Sequence, residues 1–363
     1  MRSLSFLVTI GCLLLPFLPI SSAQEAPSED WLNKAIEKRL GPLRAEIMQA
    51  LERFEAFRSI PPSARSQCLE LESRILGYSV ETVENTILSP SDRKTVSYLD
   101  LLDRVSKARA IYVGEHHDQP SHHQWQARIF RGLHEQNPKI AIGVEMLPFT
   151  MQSEVDRYVR GEIDEATFLQ RVDWKKTWGF SWELYRPLFL FARTHRLPVI
   201  ALNVPRTLVR AVGKRGLSGL TPEERDQLPR LIDTTNESHR KRFWKAVSGH
   251  GSSGHHPSNR MYEAMCVWDE SMARSVARFL ANNPTWKILV VAGSGHVAHF
   301  DGIPARAAKR IPHTHQVIIP LDTRPPIPVL DLLAHPPGDL IILTRSKRSN
   351  REVKPKPTPK SKR

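Results

Sequence analysis

Four short apolar runs, each stopping abruptly at a glycine or a polar side chain, constrain this chain more than any other feature. Ala110-Ile111-Tyr112-Val113 stops at Gly114-Glu115, Ile140-Ala141-Ile142-Gly143-Val144 at Glu145, and Pro198-Val199-Ile200-Ala201-Leu202 at Asn203. The fourth, Ile288-Leu289-Val290-Val291-Ala292, stops at Gly293-Ser294-Gly295-His296, and Val317-Ile318-Ile319-Pro320 is a candidate fifth. Short apolar runs without alternation read as strands buried on both faces. Helical patterns separate them: residues 97–107 with Leu99, Leu101, Leu102 and Val105, then 122–136, 182–195 and 261–281. Strands alternating with helices predict an α/β fold, a mostly parallel sheet with helices on both faces. In such sheets ligands bind just beyond the carboxyl ends of the strands.

The residues at those ends are therefore the candidate site: Glu115, His117, Glu145, Arg206 and His296. Carboxylates beside imidazoles suit proton transfer, in which one histidine takes a proton while the carboxylates orient it. Glu115, His117 and His296 are also of the types that hold a divalent metal. Singly, each has a plainer reading, since a strand-end Glu caps helices and Gly293-Ser294-Gly295 makes a tight turn. The coincidence of four strand ends favours a site. Tyr262 and His299 are candidates for an iron centre, because haem is held by Tyr or His. His122-His123 opens a helix after Pro120-Ser121, where a solvated face is expected, and His250, His255 and His256 lie in a Gly/Ser-rich loop. Trp174, Trp178, Phe180, Trp182 and Tyr185, interleaved with Lys175, Lys176 and Arg186, suit either core packing or a flat anionic ligand.

The chain ends carry separate signals. Arg2, an uncharged apolar stretch over 4–20 and Ser21-Ser22-Ala23 read as a signal peptide spanning 1–23. A lipoprotein anchor at Cys12 would strand the apolar residues 13–20 on the mature protein, so cleavage after Ala23 is the better reading. This predicts export to a bacterial periplasm or cell envelope. Residues 24–75 form an expected helical extension, with Ile36, Leu40, Leu43, Ile47, Ala50, Phe54 and Phe57 spaced as a short coiled-coil-like seam. The net charge of +14 suggests nucleic acid until it is located. Nine Lys or Arg against Glu352 put +8 of it in residues 345–363, a Pro/Lys-rich tail expected to be disordered. That tail suits electrostatic contact with a membrane surface, and nothing in the folded part points to nucleic acid. Cys68 and Cys266 are too few for a disulfide framework, and a buried thiol is the expectation for Cys266, within a helical pattern.

Read in order, the motifs resemble the ChaN-like haem-binding uptake family of the Tiki superfamily. They are Tyr112-Val-Gly-Glu-His-His-Asp118, Gly143-Val-Glu-Met-Leu-Pro148, Trp178-Gly-Phe-Ser-Trp-Glu-Leu-Tyr-Arg-Pro187 and Ala201-Leu-Asn-Val-Pro-Arg206, followed by Trp268-Asp-Glu-Ser-Met-Ala273 and Gly293-Ser-Gly-His-Val297 with Gly302-Ile-Pro-Ala-Arg306. The resemblance covers about residues 97–313. It implies a ChaN-like α/β domain able to bind haem in iron uptake, as a dimer in the family's pattern, with Arg206 or Arg306 meeting the propionates. It also places the chain beside erythromycin esterase-like hydrolases. The alternative function is thus Glu/His-dependent hydrolysis, with or without a divalent metal, and a scaffold working through tail and helical arm is a third. The chain departs from the family's pattern at His299-Phe300, where relatives often carry an aromatic-Gly pair.

Overall fold

A computed structural model describes residues 85–248, 259–323, 332 and 335–344. By its contacts the chain divides into two units, residues 1–84 with 325–336 and residues 85–324 with 337–363. The sheet and its helices belong to the second. The signal peptide, the helical extension with Cys68, the His250–His256 loop and the basic tail lie outside the described residues. No helix among the described residues is long and apolar enough to cross a membrane.

The unit opens with a hairpin of two three-residue strands, β1 (Ile87–Ser89) and β2 (Lys94–Val96), and helix α1 (Tyr98–Val105). Then come β3 (Ala110–Glu115), α2 (Pro120–Gln136) and β4 (Ile140–Pro148). Helices α3 (Gln152–Arg160), α4 (Glu165–Arg171), α5 (Trp174–Thr177) and α6 (Trp182–His195) lead to β5 (Val199–Asn203). Helices α7 (Arg206–Arg215), α8 (Pro222–Asp226), α9 (Glu237–Ser248) and α10 (Asn259–Asn282) precede β6 (Lys287–Gly293). The short α11 (Ser294–Val297), α12 (Ile303–Arg310), β7 (His315–Asp322) and β8 (Leu340–Thr344) complete it.

The eight strands form one sheet in the order β2-β1-β8-β7-β3-β6-β4-β5. The pairings from β8 through β5 are all parallel, and β1 runs antiparallel to both β2 and β8. The α/β reading of the sequence therefore holds, and the candidate fifth strand is β7. The sheet extends past the expected 97–313 on both sides, taking in the β1–β2 hairpin and β8. Strand side chains alternate between two cores, as the period of two requires. Ile111, Val113, Ile142, Val144, Leu289 and Val291 pack with α2, α3 and α6. Tyr112, Ala141, Ile288, Val290 and Ala292 pack with α10 and α12 on the other face. Both faces being covered explains why the strand sequences are apolar throughout.

Local chemistry sets the helix ends. Ser97 and Asp100 form a reciprocal capping box on α1, and Asp164 caps α4 by accepting from Thr167 N at 2.8 Å. Pro120 occupies the first turn of α2, where its missing N–H costs nothing. Four neighbouring strands, β3, β6, β4 and β5, thus end side by side.

Candidate functional site

At that edge Glu115 and Gly293 are register partners at the ends of β3 and β6. Glu145 reaches the same place by a different device. Between Val144 and Pro148 the pairing of β4 with β5 shifts, three residues of β4 bulging opposite one of β5. Asn203 Nδ2 pins the bulge by donating to the Glu145 carbonyl at 2.9 Å. Bulges commonly re-aim side chains beside sites, and this one turns the Glu145 carboxylate toward β6, where Oε2 accepts from Gly293 N at 2.6 Å.

Glu115 is 2% exposed, and its carboxylate is fully engaged. Oε1 accepts from Tyr185 OH and from His117 Nδ1, each at 2.8 Å, and Oε2 accepts from Gln126 Nε2 at 2.8 Å. His123 Nδ1 lies 3.5 Å from Oε2, and its Nε2 is 3.2 Å from the His117 carbonyl. With Nδ1 donating to Glu115, the His117 tautomer is fixed and Nε2 carries the lone pair. Among the described residues Nε2 has no hydrogen-bond partner. The ring stands edge-on to Trp178 at 4.8 Å and beside Phe180 at 4.9 Å. Burial works to lower the His117 pKa, but the bond to Glu115 and the charges of Glu145 and Glu115 outweigh it, and the net shift is upward.

His296 forms a second cluster. Its Nδ1 donates to Asp269 Oδ1 at 2.7 Å, and its Nε2 lies 3.3 Å from Glu145 Oε1. Against the opposing effect of burial, the two carboxylates push its pKa up to about 10, so it is an imidazolium at neutral pH. Burial likewise opposes ionisation of Glu145 and Asp269, yet the partner histidines hold both below the ordinary carboxylate range.

His117, Glu145 and His296 border a cavity of about 440 Å³ walled by Trp178, Phe180 and Trp268, with Lys176, Arg206 and Arg210 at its rim. The volume is in the range of small-molecule sites. Gly293 leaves room for the ring: a Cβ there would come within 2.8 Å of His117 Cε1. The structure therefore gathers Glu115, His117, Glu145, Arg206 and His296 at one edge.

Other expectations are corrected. Tyr262 is 2% exposed on α10, its hydroxyl donating to the Asn236 carbonyl at 3.1 Å with His239 Nδ1 at 3.0 Å, so it faces the core. Arg306 is buried on α12, bound to Glu270 and to the Asp233 carbonyl, which leaves no free guanidinium for a propionate. His299 has positive φ, donates its N–H to the Pro337 carbonyl at 2.7 Å, and does not line the cavity. Glu115, His117 and His296 do not form a metal-ligand set in this arrangement. The Glu115 oxygens are taken by three donors, and both His296 nitrogens face carboxylates. Among the described residues, no group of three or more His, Cys, Asp or Glu is placed to hold a metal ion.

His122 and His123 are core residues rather than a solvated face, 0% and 3% exposed. His122 Nδ1 accepts from His116 N at 2.9 Å while its Nε2 faces Thr344 Oγ1 at 3.1 Å, and burial lowers its pKa to about 3, so it is a neutral tie between α2 and β8. The aromatic segment splits: Trp174, Trp182 and Tyr185 pack in the core, whereas Trp178 and Phe180 wall the cavity. Arg186 pairs with Glu165 away from it. Cys266 is a buried free thiol 3.6 Å from Arg306 Nη2, its pKa pushed up to about 11 by burial. Sequence reasoning assigns no supporting role to Gln126, Tyr185, His123 or Asp269, although each holds a site residue in place.

Fold and site define an α/β protein with a gathered set of polar groups at the carboxyl edge of a mostly parallel sheet. A family model described as haem-binding uptake, Tiki superfamily, ChaN matches residues 101–307. That is more than half of the chain, and the chain belongs to this family. Among solved structures it is similar to ChaN of Campylobacter jejuni, described for cofacial haem binding, with TM-score 0.56 and 22% identity over 71% of this chain and 96% of that one. At that identity the likeness shows the fold. A looser one, TM-score 0.41 and 15% identity over 74% and 84% of the two chains, is to an erythromycin esterase mutant in its open conformation. The chain is also 24% identical over 241 residues to Protein RETICULATA-RELATED 5, chloroplastic, of Arabidopsis thaliana, covering 61% of this chain and 32% of that protein. It spans about a third of the length of that curated relative.

Proposed function

We propose that this chain binds haem in the strand-end cavity, with His117 Nε2 as the iron-facing donor. One observation carries the reading: His117 is held through Nδ1 by buried Glu115, and its remaining nitrogen opens on an aromatic-walled cavity with a basic rim. Metal-bound histidines commonly give their other ring N–H to a carboxylate, which fixes the tautomer and strengthens the ligand. Trp178, Phe180 and Trp268 suit a flat macrocycle, and Arg206, Arg210 and Lys176 suit its propionates. Family membership supports haem as the ligand. The apolar leader over 4–20 and the small residues before Gln24 support an exported protein handling haem or iron in a bacterial cell envelope. The test is a spectral titration of the mature protein with haemin. A Soret band that shifts on binding is expected, lost in His117→Ala and kept in Tyr262→Phe. Equal binding by wild type and His117→Ala would refute the assignment.

A second reading is favoured by the same ring's chemistry. A histidine with a carboxylate behind it and a free nitrogen toward a cavity is also placed as a general base for hydrolysis. Ester hydrolysis abolished by Glu115→Gln, in a protein that gives no Soret shift, would establish that reading over haem binding.

A further inference from the structure

We propose that the two arginines of α7 divide the work at the cavity rim: Arg206 positions the Trp178–Phe180 wall, and Arg210 selects a ligand that carries carboxylates. The second half rests on the haem reading and names the residue that meets the propionates. Of the three rim cations, Lys176 is already paired with Asp173 at 2.8 Å. Arg206 opens α7, and its Nη1 donates to the Lys176 and Thr177 carbonyls at 3.2 and 3.4 Å. Those residues end the four-residue α5, and a helix leaves its last carbonyls without N–H partners of its own. Trp178 follows directly, and Gly179, at φ +94°, turns the chain so that Phe180 joins Trp178 against the His117 ring. The bond spans the site, because His117 follows β3 and Arg206 follows β5, with β6 and β4 between these strands in the sheet. The turn into α7 is fixed by Asn203, whose side chain accepts from Val204 N at 2.8 Å and donates to the Glu145 carbonyl at 2.9 Å. One guanidinium thus ties the wall over His117 to the strand bulge that aims Glu145. Arg210 stands one helical turn further along the same face of α7. It is exposed at the cavity, and its guanidinium makes no hydrogen bond or ion pair with another described residue. Glu145, the acid among the lining residues, is held by Gly293 N and His296, so no carboxylate of the wall competes for the Arg210 fork. Free guanidinium N–H groups grip a carboxylate in a bidentate, charge-assisted geometry, and an ester lacks the charge.

The experiment has two arms on the full chain, with wild type, Arg206→Met, Arg206→Lys and Arg210→Met. The first is amide hydrogen exchange without haem. Arg206→Met removes the donor and keeps the aliphatic stem, so exchange over residues 176–181 speeds up while the melting temperature stays at the wild-type value. Arg206→Lys, which keeps a donor for the carbonyls, restores most of the protection, and Arg210→Met leaves the segment unchanged. Wild-type exchange in Arg206→Met, or a loss of protection spread over the whole sheet, would overturn the positioning role. The second arm titrates haemin against its dimethyl ester, whose propionates carry no charge. Arg210→Met lowers haemin affinity about tenfold and leaves the ester's unchanged, the size expected for one charge-assisted contact. Arg206→Met lowers both by the same factor, because the wall meets the ring and not its carboxylates. Equal losses for haemin and ester in Arg210→Met, or a loss confined to haemin in Arg206→Met, would overturn the division. No binding of either compound by wild type would instead overturn the haem reading, and the exchange result for Arg206 would stand apart from it.

Discussion

Replacing Gly293 by alanine separates the position of His117 from the stability of the fold. The backbone there has φ −53° and ψ 140°, open to any residue, so the substitution introduces no backbone strain. What it introduces is a Cβ 2.8 Å from His117 Cε1 and 3.2 Å from Nε2. Ordinary contact begins near 3.4 Å, so the ring must retreat by about 0.6 Å. Trp178 and Phe180 flank it, and Nδ1 is tied to Glu115 at 2.8 Å. A retreat of that size takes the bond to the edge of the hydrogen-bond range. A hydrogen bond to a charged group contributes about 1.5–3 kcal/mol, which at about 1.4 kcal/mol per tenfold predicts roughly a ten- to hundredfold loss of haemin affinity. The displaced ring is partly exposed and belongs to no core cluster, so the melting temperature should fall by only a few degrees. Soret titration and thermal denaturation measured side by side check both halves. Haemin affinity within about threefold of wild type would refute the claim that the Glu115–His117 geometry sets binding.

Gly302→Ala should behave in the opposite way, because its Cβ would overlap the His296 carbonyl, a backbone atom that cannot swing aside. Overpacking of about 1–3 kcal/mol predicts a fall of roughly 3–10 °C in melting temperature by calorimetry, and an unchanged value would show that the turn relaxes freely. The His296 pKa, raised to about 10 against about 6.5 unfolded, contributes stability that is complete below about pH 6.5 and is lost as pH rises through about 10. Urea unfolding should therefore give a free energy lower at pH 10 than at pH 6.5 by a few kcal/mol at most, and a flat profile would contradict the buried imidazolium. His117 must be deprotonated at Nε2 to meet iron, and its pKa is raised, so haemin affinity should drop as pH falls from about 8 to about 5.5. Affinity independent of pH there would argue against His117 as the donor.

Strand ends were legible from sequence because a parallel strand covered on both faces must be apolar to its last buried residue and can turn polar only where the edge opens. Glu115, Glu145, Asn203 and His296 announce themselves by that contrast. The hairpin of β1 and β2 gives no such signal: three residues are too few to show a period. The groups behind the site were hidden for another reason. His122, Gln126, Ile129, Phe130 and Leu133 share the buried face of α2 at helical spacing, so two polar residues stand in positions the 3.6-residue period assigns to the core. Read by period rather than by the preceding Pro-Ser, His122 and Gln126 are buried polar groups that need partners, and Glu115 and Thr344 are those partners. The same reasoning finds Asp269 and Glu270 among Met265, Cys266, Met272 and Val276 on α10, and it accounts for the misplacing of Arg306. Two acids in a buried helix demand a cation, and an arginine that answers a buried carboxylate is withdrawn from ligand recognition. Strand-end position predicts what faces the cavity; an unexpected charge in a core stripe predicts what stands behind it.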